Sequence, residues 1–249
     1  MRDLPLCCLR SSNAGTPGID QVVLSAGIHG DEPAGIYGLI SFLQKDLENY
    51  EADFGFTVFP CLNPTGLIAG TRENFEGVDL NRVFSEESTR DEVRAIVTAL
   101  SEGPNYYVLS LDYHEDSPTV LSDIAPGGKY PDGFYCYESA RHSSLRVSSH
   151  LLKHLRSLNV PIATDETVYG DKCTGGAVLY GAESTNSSYA ELNAFDNVLL
   201  RKYCDLTVVT ETLTAWSMEQ RVEIHREATC GVLNAARILR EQNSLGSGL

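Results

Sequence analysis

The sequence predicts an α/β protein, a three-layer α/β/α sandwich built on a mostly parallel or mixed central sheet. Short apolar runs alternate along the chain with segments of helical spacing, as they do in α/β proteins. The strongest runs are apolar at nearly every position, and strands of this kind are buried on both faces, so helices are expected on both sides of the sheet. With 249 residues, 42% of them hydrophobic, the chain is long enough for one substantial core. We therefore predict a single domain over residues 1–249, with a frayed tail at residues 244–249.

Strand signals occur in six segments that are rich in Val, Leu, Phe, Tyr and Thr, the residue types that favour pleated structure. The four strong segments are residues 20–28, 55–61, 106–113 and 206–212. The two weaker segments are residues 133–137 and 176–181. Together these segments form the predicted sheet.

Helical spacing of apolar residues occurs in four segments that alternate with these strands or follow them. They are residues 36–47, 93–100, 145–155 and 222–239. Pro33 suits the first turn of the first helix, because that turn does not use the amide hydrogen that proline lacks. Thr89 and Glu92 have the spacing of a capping box before the second helix, and Ser217 and Gln220 have it before the last.

The composition indicates the cellular compartment and disfavours some classes of partner. A formal charge of −15 disfavours nucleic acid and anionic membranes, which are bound through basic patches. No run approaches the roughly 20 apolar residues of a membrane helix, and residues 1–9 lack the apolar stretch of a signal peptide. The seven cysteines are an odd number without a Cys-x-x-Cys pair, which favours reduced thiols. We therefore predict a cytoplasmic protein.

Candidate metal ligands follow two of the predicted strands. His29 and Glu32 lie three residues apart where the first strand ends and the first helix begins, and His114 follows the strand at 106–113. Open α/β sheets bind ligands at the carboxyl ends of their strands, so these side chains are expected to meet. Two histidines and one glutamate are a known ligand set of catalytic zinc, which keeps a further position for water. The alternative for His114 taken alone is a hydrogen-bonded surface residue.

Two arginines lie in one long segment of an otherwise acidic protein. Residues 70–84 are predicted to be irregular and contain Arg72 and Arg82. A guanidinium group can bind a carboxylate through two parallel hydrogen bonds, so the segment favours an anion site. The alternative is a pair of solvated surface salt bridges.

Six motifs follow one another along the chain: Gly-x-His-Gly-Asp-Glu at 27–32, Asn-Pro-x-Gly at 63–66, Arg72-x-Asn74, Asp79-Leu80-Asn81-Arg82-x-Phe84, Asp112-x-His114 and a late strand bearing Glu211. Their order resembles the order seen in zinc carboxypeptidases. On these motifs, residues 21–213 resemble the broad M14-like zinc carboxypeptidase superfamily, which includes the murein peptide amidases and the succinylglutamate desuccinylase and aspartoacylase group. The resemblance implies a carboxypeptidase-like fold and a hydrolase that holds one Zn²⁺ per chain.

The resemblance also implies the composition of the metal site, carried over motif by motif. His29, Glu32 and His114 correspond to the zinc ligands. Asp79 resembles the carboxylate that holds His29 in the tautomer needed for metal binding.

Roles in substrate binding and catalysis follow from the same motifs. Arg72 resembles the arginine that polarises the scissile carbonyl and stabilises the oxyanion. Asn81 and Arg82 resemble the pair that binds the terminal carboxylate of the substrate. Glu211 resembles the general base, with two nearby glutamates, Glu183 and Glu191, as alternatives.

Several further residues are interpreted without help from a motif. Glu115 and Asp116 are predicted to form a solvated loop, with a weak second cation site as the alternative. Residues 127–133 are expected to border the cleft. The candidates for a tyrosine that closes the site are Tyr169, Tyr180 and Tyr189. The remaining histidines lie in helical patterns and are predicted to be solvated: His142, His150, His154 and His225.

Three functions follow from these observations. The favoured one is a metallocarboxypeptidase or peptide amidase that acts on a small peptide at an amide next to a carboxylate-bearing residue. The second is an N-acyl amino acid deacylase, for which the same zinc and arginines would serve. No additional C-terminal domain is recognisable, which favours the peptidase. The third is a metal-binding interaction protein without turnover. The sequence leaves the side-chain preference and the oligomeric state open.

Overall fold

The computed structural model describes residues 4–85, 87–118, 130–181 and 193–246, with side chains up to residue 242. Nine strands lie within these residues. They are β1 (Leu9–Arg10), β2 (Asp20–Ala26), β3 (Phe54–Phe59), β4 (Leu109–Asp116), β5 (Tyr135–Ala140), β6 (Thr167–Val168), β7 (Asp171–Thr174), β8 (Ala177–Gly181) and β9 (Leu206–Leu213). They form one sheet in the order β1-β3-β2-β4-β9-β5-β8-β7-β6.

The centre of this sheet is parallel, and its edges are mixed. Strands β3, β2, β4 and β9 run in the same direction. Strand β5 is antiparallel to β9 and parallel to β8, while β1 is antiparallel to β3. The carboxyl ends of β2, β4 and β9 therefore meet at one edge, which is where the predicted ligands and base lie.

Helices cover both faces of the sheet. The described α-helices are α1 (Pro33–Lys45), α2 (Pro64–Ala69), α3 (Asp91–Ser101), α4 (Ser148–Ser157), α5 (Phe195–Lys202) and α6 (Met218–Gly246), and the short 3₁₀ turns are Leu47–Asn49, Leu80–Arg82 and Ser143–Leu145. Leu39 of α1, Leu151 of α4 and Val232 of α6 belong to the core on one face. Ile96 of α3 and Leu199 of α5 belong to the core on the other. The predicted three-layer α/β/α fold with a mixed sheet is thereby confirmed.

The differences from the predicted elements concern short elements and boundaries. Strand β4 begins at Leu109 rather than at 106, and Tyr107 makes only an isolated bridge with Cys204. Helix α4 begins at Ser148, because Leu145 belongs to a separate 3₁₀ turn. Strands β1, β6 and β7 and helices α2 and α5 were not predicted, since each is too short to establish a periodic pattern.

One of the two predicted capping boxes is confirmed. Gln220 N donates to Ser217 Oγ at 3.2 Å, and Ser217 N donates to Gln220 Oε1 at 3.2 Å, at the start of α6. The box predicted before α3 is wrong. That helix begins without a side-chain cap, and Glu92 Oε1 instead accepts a 3.1 Å hydrogen bond from Asn74 Nδ2. Glu92 thus connects the segment at residues 70–84, which contains Arg72 and Arg82, to α3.

The cysteines, the apolar content of the helices and the C-terminal end bear on the predictions made from composition. All seven cysteines are free thiols, as predicted. No described helix is both long enough and apolar enough to cross a membrane. Helix α6 continues to Gly246, and residues 247–249 of the predicted tail lie outside the described residues.

Candidate active site

The predicted ligand pair lies in the turn between β2 and α1. After Ala26, Gly27 redirects the chain with a φ of 65°, in the left-handed region that favours glycine. His29 and Glu32 follow with exposures of 3% and 6%, and Pro33 begins α1 as predicted. The turn therefore presents a buried imidazole and a buried carboxylate at the edge of the sheet.

His114 completes the cluster from β4. Its Nδ1 lies 2.8 Å from Glu32 Oε2, and His29 Nδ1 lies 2.7 Å from Glu32 Oε1. One ligand atom of each side chain lies within 4.8 Å of the others, so the three side chains are close enough to share one metal ion. Two imidazoles and one carboxylate beside an open cavity are a donor set that fits a catalytic zinc ion.

A carboxylate lies behind each imidazole. His114 Nε2 is 3.2 Å from Asp112 Oδ2, and Ser25 Oγ donates to Asp112 Oδ1 at 2.7 Å. His29 Nε2 is 3.3 Å from Asp79 Oδ1 but is not aligned for a hydrogen bond, and it has no other partner among the described residues. Carboxylates in this position select the tautomer of a metal-binding histidine. Both Nδ1 atoms are then available for a metal.

Asp112 was not assigned a role from the sequence, although the spacing Asp-x-His places both side chains on one face of a strand. We expect Asp112→Asn to weaken zinc binding by about 10–100-fold, because a neutral amide supports the imidazole less strongly than a carboxylate does. Competition with a chromophoric chelator measures this affinity. Asp91→Asn, at a side chain that is 96% exposed on α3, is the matched control. Native affinity in the Asp112 variant would show that this carboxylate does not support the site.

The charges within the cluster are complementary. Burial raises the pKa of Glu32, but the imidazoles of His29 and His114 outweigh burial and hold this pKa well below its usual range. Burial lowers the pKa of His114, but Glu32 and Asp112 outweigh burial and hold this pKa well above its usual value. Glu32 is therefore ionised, which is the form that binds a cation.

Glu211 lies across from the ligands at the same level of the sheet. It is paired with His114 on β4 and with Tyr135 on β5. Paired residues on neighbouring strands point to the same face, so Glu211 projects into the cavity beside the predicted ligands. Burial raises the pKa of Glu211 well above its usual range; His114 opposes the rise, and Glu32 and Asp116 add to it.

Arg72 reaches directly into the cluster. Its Nε donates to Asp79 Oδ2 at 3.0 Å, while its Nη1 lies 3.2 Å from His29 Nδ1 and 3.5 Å from Glu32 Oε1. Burial lowers the pKa of Arg72, but Asp79 and Glu32 outweigh burial and raise it. This geometry favours an anion-binding guanidinium over a solvated surface salt bridge.

Asn81 and Arg82 line the cavity from a 3₁₀ turn. Asn81 N donates to Asp79 Oδ1 at 2.9 Å, and Asn81 Oδ1 accepts a 2.9 Å bond from Phe195 N at the start of α5. Arg82 is exposed, and its Nη1 donates to the carbonyl oxygen of Asn81 at 2.9 Å. A guanidinium group at the rim can meet a carboxylate that enters from solvent.

These side chains surround one cavity of about 390 Å³. The described lining contains the three predicted ligands, both arginines, Asn81 and Glu211, while Asp79 lies behind Arg72. The remaining wall includes Asp116, Tyr135, Tyr137, Tyr169 and Asp171. The fold thus brings the predicted site residues together around a cavity whose volume suits a small molecule.

Of the three candidate tyrosines, Tyr169 lines the cavity, with a φ of 50° and a hydroxyl that donates to Asp116. The hydroxyl of Tyr180 donates to Asp171 Oδ2 at 2.6 Å. Tyr189, together with the alternative bases Glu183 and Glu191 and the first part of the segment at 127–133, lies outside the described residues.

Two predictions about polar residues are wrong. Glu115 and Asp116 are not a solvated loop but the end of β4, and each is only 4% exposed. Glu115 accepts a 2.7 Å bond from Ala34 N and an ion pair from Arg221, so its oxygens are occupied and give no support to a second cation site. His225 is not solvated either, because its exposure is 0%.

The chain has a carboxypeptidase-like fold, in which a mixed sheet lies between two helical layers, and a His–Glu–His cluster lies at the carboxyl ends of its strands. Residues 18–120 match the model of the succinylglutamate desuccinylase/aspartoacylase catalytic domain. The predicted resemblance is confirmed by this match and by the fold. The matched part contains the three predicted ligands and both arginines but ends before Glu211. No curated protein matches the chain.

Solved structures with the same fold include metallopeptidases and carboxypeptidases. A protein from Shewanella amazonensis SB2B, provisionally assigned as a metallopeptidase, is 24% identical with a TM-score of 0.72, covering 92% of this chain and 82% of its own. A metallo-carboxypeptidase from Burkholderia cenocepacia is 15% identical with a TM-score of 0.63, covering 94% and 62%. The tripeptide-bound cell shape determinant Csd4 from Helicobacter pylori is 16% identical with a TM-score of 0.62, covering 94% and 56%. At these identities the structures establish the fold, and with the family match they support a hydrolase.

Proposed function

We propose that this protein is a zinc-dependent hydrolase that cleaves an amide bond next to a carboxylate-bearing residue. One observation carries the proposal. A single cavity holds a buried His–Glu–His cluster, an arginine at that cluster, a second arginine at the rim, and a glutamate across from the ligands. A protein that only stored or sensed a metal would need the cluster but not the other three groups.

The proposed roles follow from the positions of these groups. A zinc ion held by His29, Glu32 and His114 would activate water and polarise the substrate carbonyl. Glu211 would take the proton from that water and deliver it to the leaving nitrogen. The positive charge of the ion would also lower the pKa of Glu211, which burial and neighbouring carboxylates raise. Arg72 would stabilise the negative charge that develops on the carbonyl oxygen, an effect of about 3 kcal/mol for one preorganised donor.

Two substrate classes fit this chemistry. A peptidase or peptide amidase is favoured by the likeness of the fold to a metallo-carboxypeptidase and to a tripeptide-bound protein. An N-acyl amino acid deacylase is favoured by the match of residues 18–120 to the desuccinylase/aspartoacylase catalytic domain. In both classes the scissile amide lies beside a carboxylate that Asn81 and Arg82 can bind.

Paired substrate panels distinguish the two classes. Protein loaded with zinc, its metal content measured by mass spectrometry, is incubated with peptides that have free C-termini and with N-acyl amino acids. Each substrate is matched by its C-terminal amide, which lacks the carboxylate. We expect hydrolysis in one panel and little in the amidated partners. No hydrolysis in either panel by zinc-loaded protein would contradict the proposed function and leave the interaction protein as the alternative.

Loss of the rim arginine should affect binding more than turnover. We expect Arg82→Met to raise KM for a carboxylate substrate by about 10–100-fold, since one hydrogen bond to a charged group contributes about 1.5–3 kcal/mol. Its effect on the amidated substrate should be small, because that substrate offers no anion. Arg90→Met, at a half-exposed surface ion pair with Glu76, is the control. An equal loss on both substrates would contradict the proposed carboxylate contact.

A further inference from the structure

His225 is a buried imidazole of α6 that the proposed mechanism does not use. It packs between α6, α1 and the sheet, and its ring meets the ring of Tyr113 edge-on at a centroid distance of 5.4 Å. A Cβ atom at Gly38 of α1 would lie 2.6 Å from the Cβ of His225, so only glycine lets α1 approach this closely. The imidazole is therefore held in one place from several sides.

Both ring nitrogens of His225 bind hydroxyls of β9. Nδ1 lies 3.2 Å from Thr210 Oγ1, and Nε2 lies 3.0 Å from Thr212 Oγ1. These two threonines are the immediate neighbours of Glu211 in the strand. Side chains alternate between the two faces of a strand. His225 therefore contacts β9 on one face, and Glu211 projects into the cavity from the other.

The hydrogen-bond directions form a consistent chain. Burial lowers the pKa of His225 to about 3, so the imidazole is neutral and has one donor and one acceptor. Thr210 Oγ1 donates to the carbonyl oxygen of Asp112 at 3.4 Å, so it accepts from His225 Nδ1. Thr212 Oγ1 then donates to Nε2. The chain links His225 and β9, the strand of Glu211, to the backbone of β4 at Asp112.

Two other residues of α6 support the ligand strand from the same face. Arg221, His225 and Thr229 are spaced four residues apart and therefore lie along one side of the helix. Arg221 forms an ion pair with Glu115, and Thr229 Oγ1 lies 2.5 Å from the hydroxyl of Tyr113. Glu115 and Tyr113 are the neighbours of His114 in β4, and Glu115 N also donates to Glu32 Oε2 at 3.1 Å.

We propose that His225 is a positioning residue for Glu211. By hydrogen bonding to Thr210 and Thr212, His225 keeps Glu211 in its position opposite His114. The inference rests on the proposed function, in which Glu211 is the general base. Its consequence is that a hydroxyl on the far face of β9 controls turnover without touching the substrate.

The test removes one hydroxyl while preserving the shape of the side chain. Thr212→Val keeps a β-branched side chain in the strand but deletes the hydrogen bond to His225 Nε2. We expect kcat to fall by about 10–100-fold, as a small misplacement of a reacting group can cause. KM and zinc stoichiometry should stay native, because the ligands and the arginines are untouched. His225→Phe keeps a ring against Tyr113, deletes both bonds, and should lower kcat further.

A second measurement separates positioning from general damage. In the Glu211→Gln background, Thr212→Val should leave the residual rate unchanged, because residues that act as a unit are not additive. The matched control is Thr207→Val, a buried threonine of β9 on the opposite face from His225. This control variant should keep the native kcat. The thermal unfolding temperatures of all variants are compared to detect a general loss of stability.

The possible outcomes are distinct. An active native protein whose Thr212→Val variant has native kcat would overturn the role of His225 and leave the proposed function standing. An equal further loss in the Glu211→Gln background would also overturn it, because the effect would not pass through Glu211. A zinc-loaded native protein without hydrolytic activity would overturn the proposed function and, with it, this inference.

Discussion

Replacing Glu211 with glutamine is expected to lower kcat by about 10³-fold while the protein keeps its zinc, since a general acid–base residue contributes about 10²–10⁴-fold. The amide preserves the size of the side chain in the cavity but cannot take a proton from water. Because Glu211 is across from the ligands rather than among them, metal affinity should change little. Steady-state kinetics on the better substrate, with metal analysis of the same sample, measures both quantities.

Glu219→Gln is the matched control for this experiment. Glu219 is exposed in the first turn of α6, so the same chemical change there should leave kcat native. A Glu211→Gln variant that retained zinc and hydrolysed substrate at the native rate would show that another group is the base.

Replacing His114 with alanine is expected to abolish stoichiometric zinc binding. The loss of affinity should exceed the about 10–100-fold typical of residues that only support a ligand. In the native protein, zinc at 100 times its dissociation constant should stabilise the fold by about 2.7 kcal/mol. For a chain of this size that corresponds to a rise of roughly 5–10 °C in the unfolding temperature. The His114 variant should show no such rise.

The ligand set is tested by comparing variants at both histidines. His29→Ala and His114→Ala should lose zinc alike, because both Nδ1 atoms face the same carboxylate, Glu32. His142→Ala, at an exposed histidine outside the cavity, is the control and should bind zinc as the native protein does. Zinc loss at His29 without loss at His114 would contradict the proposed set.

The parts of the site that the sequence predicts are those that depend on the spacing of residues within one short segment. The interval from His29 to Glu32, followed by Pro33, is enough to predict a strand end, a turn and a helix start. The apolar strand before His114 predicts its place at the same edge of the sheet. The two histidines and Glu32 therefore meet as the strand pattern requires, although 82 residues separate Glu32 from His114.

The parts that were missed depend on contacts between distant elements. The sequence predicts a solvated loop at Glu115 because the continuation of β4 depends on its pairing with β9, about 100 residues away. The sequence predicts a solvated His225 because polar and ionisable side chains usually lie on the exposed face of a helix. The helical period contains a signal against that interpretation, since His225 lies seven residues before Val232 and thus on the same apolar face.

The most direct test of the account is a zinc titration followed by the rate of amide hydrolysis. Protein freed of metal by a chelator receives increasing amounts of Zn²⁺, and the initial rate on a carboxylate-bearing substrate is measured at each step. We expect a rate that rises linearly and reaches its plateau at one zinc per chain. A rate that is independent of zinc, or no hydrolysis of either substrate class at full occupancy, would contradict it.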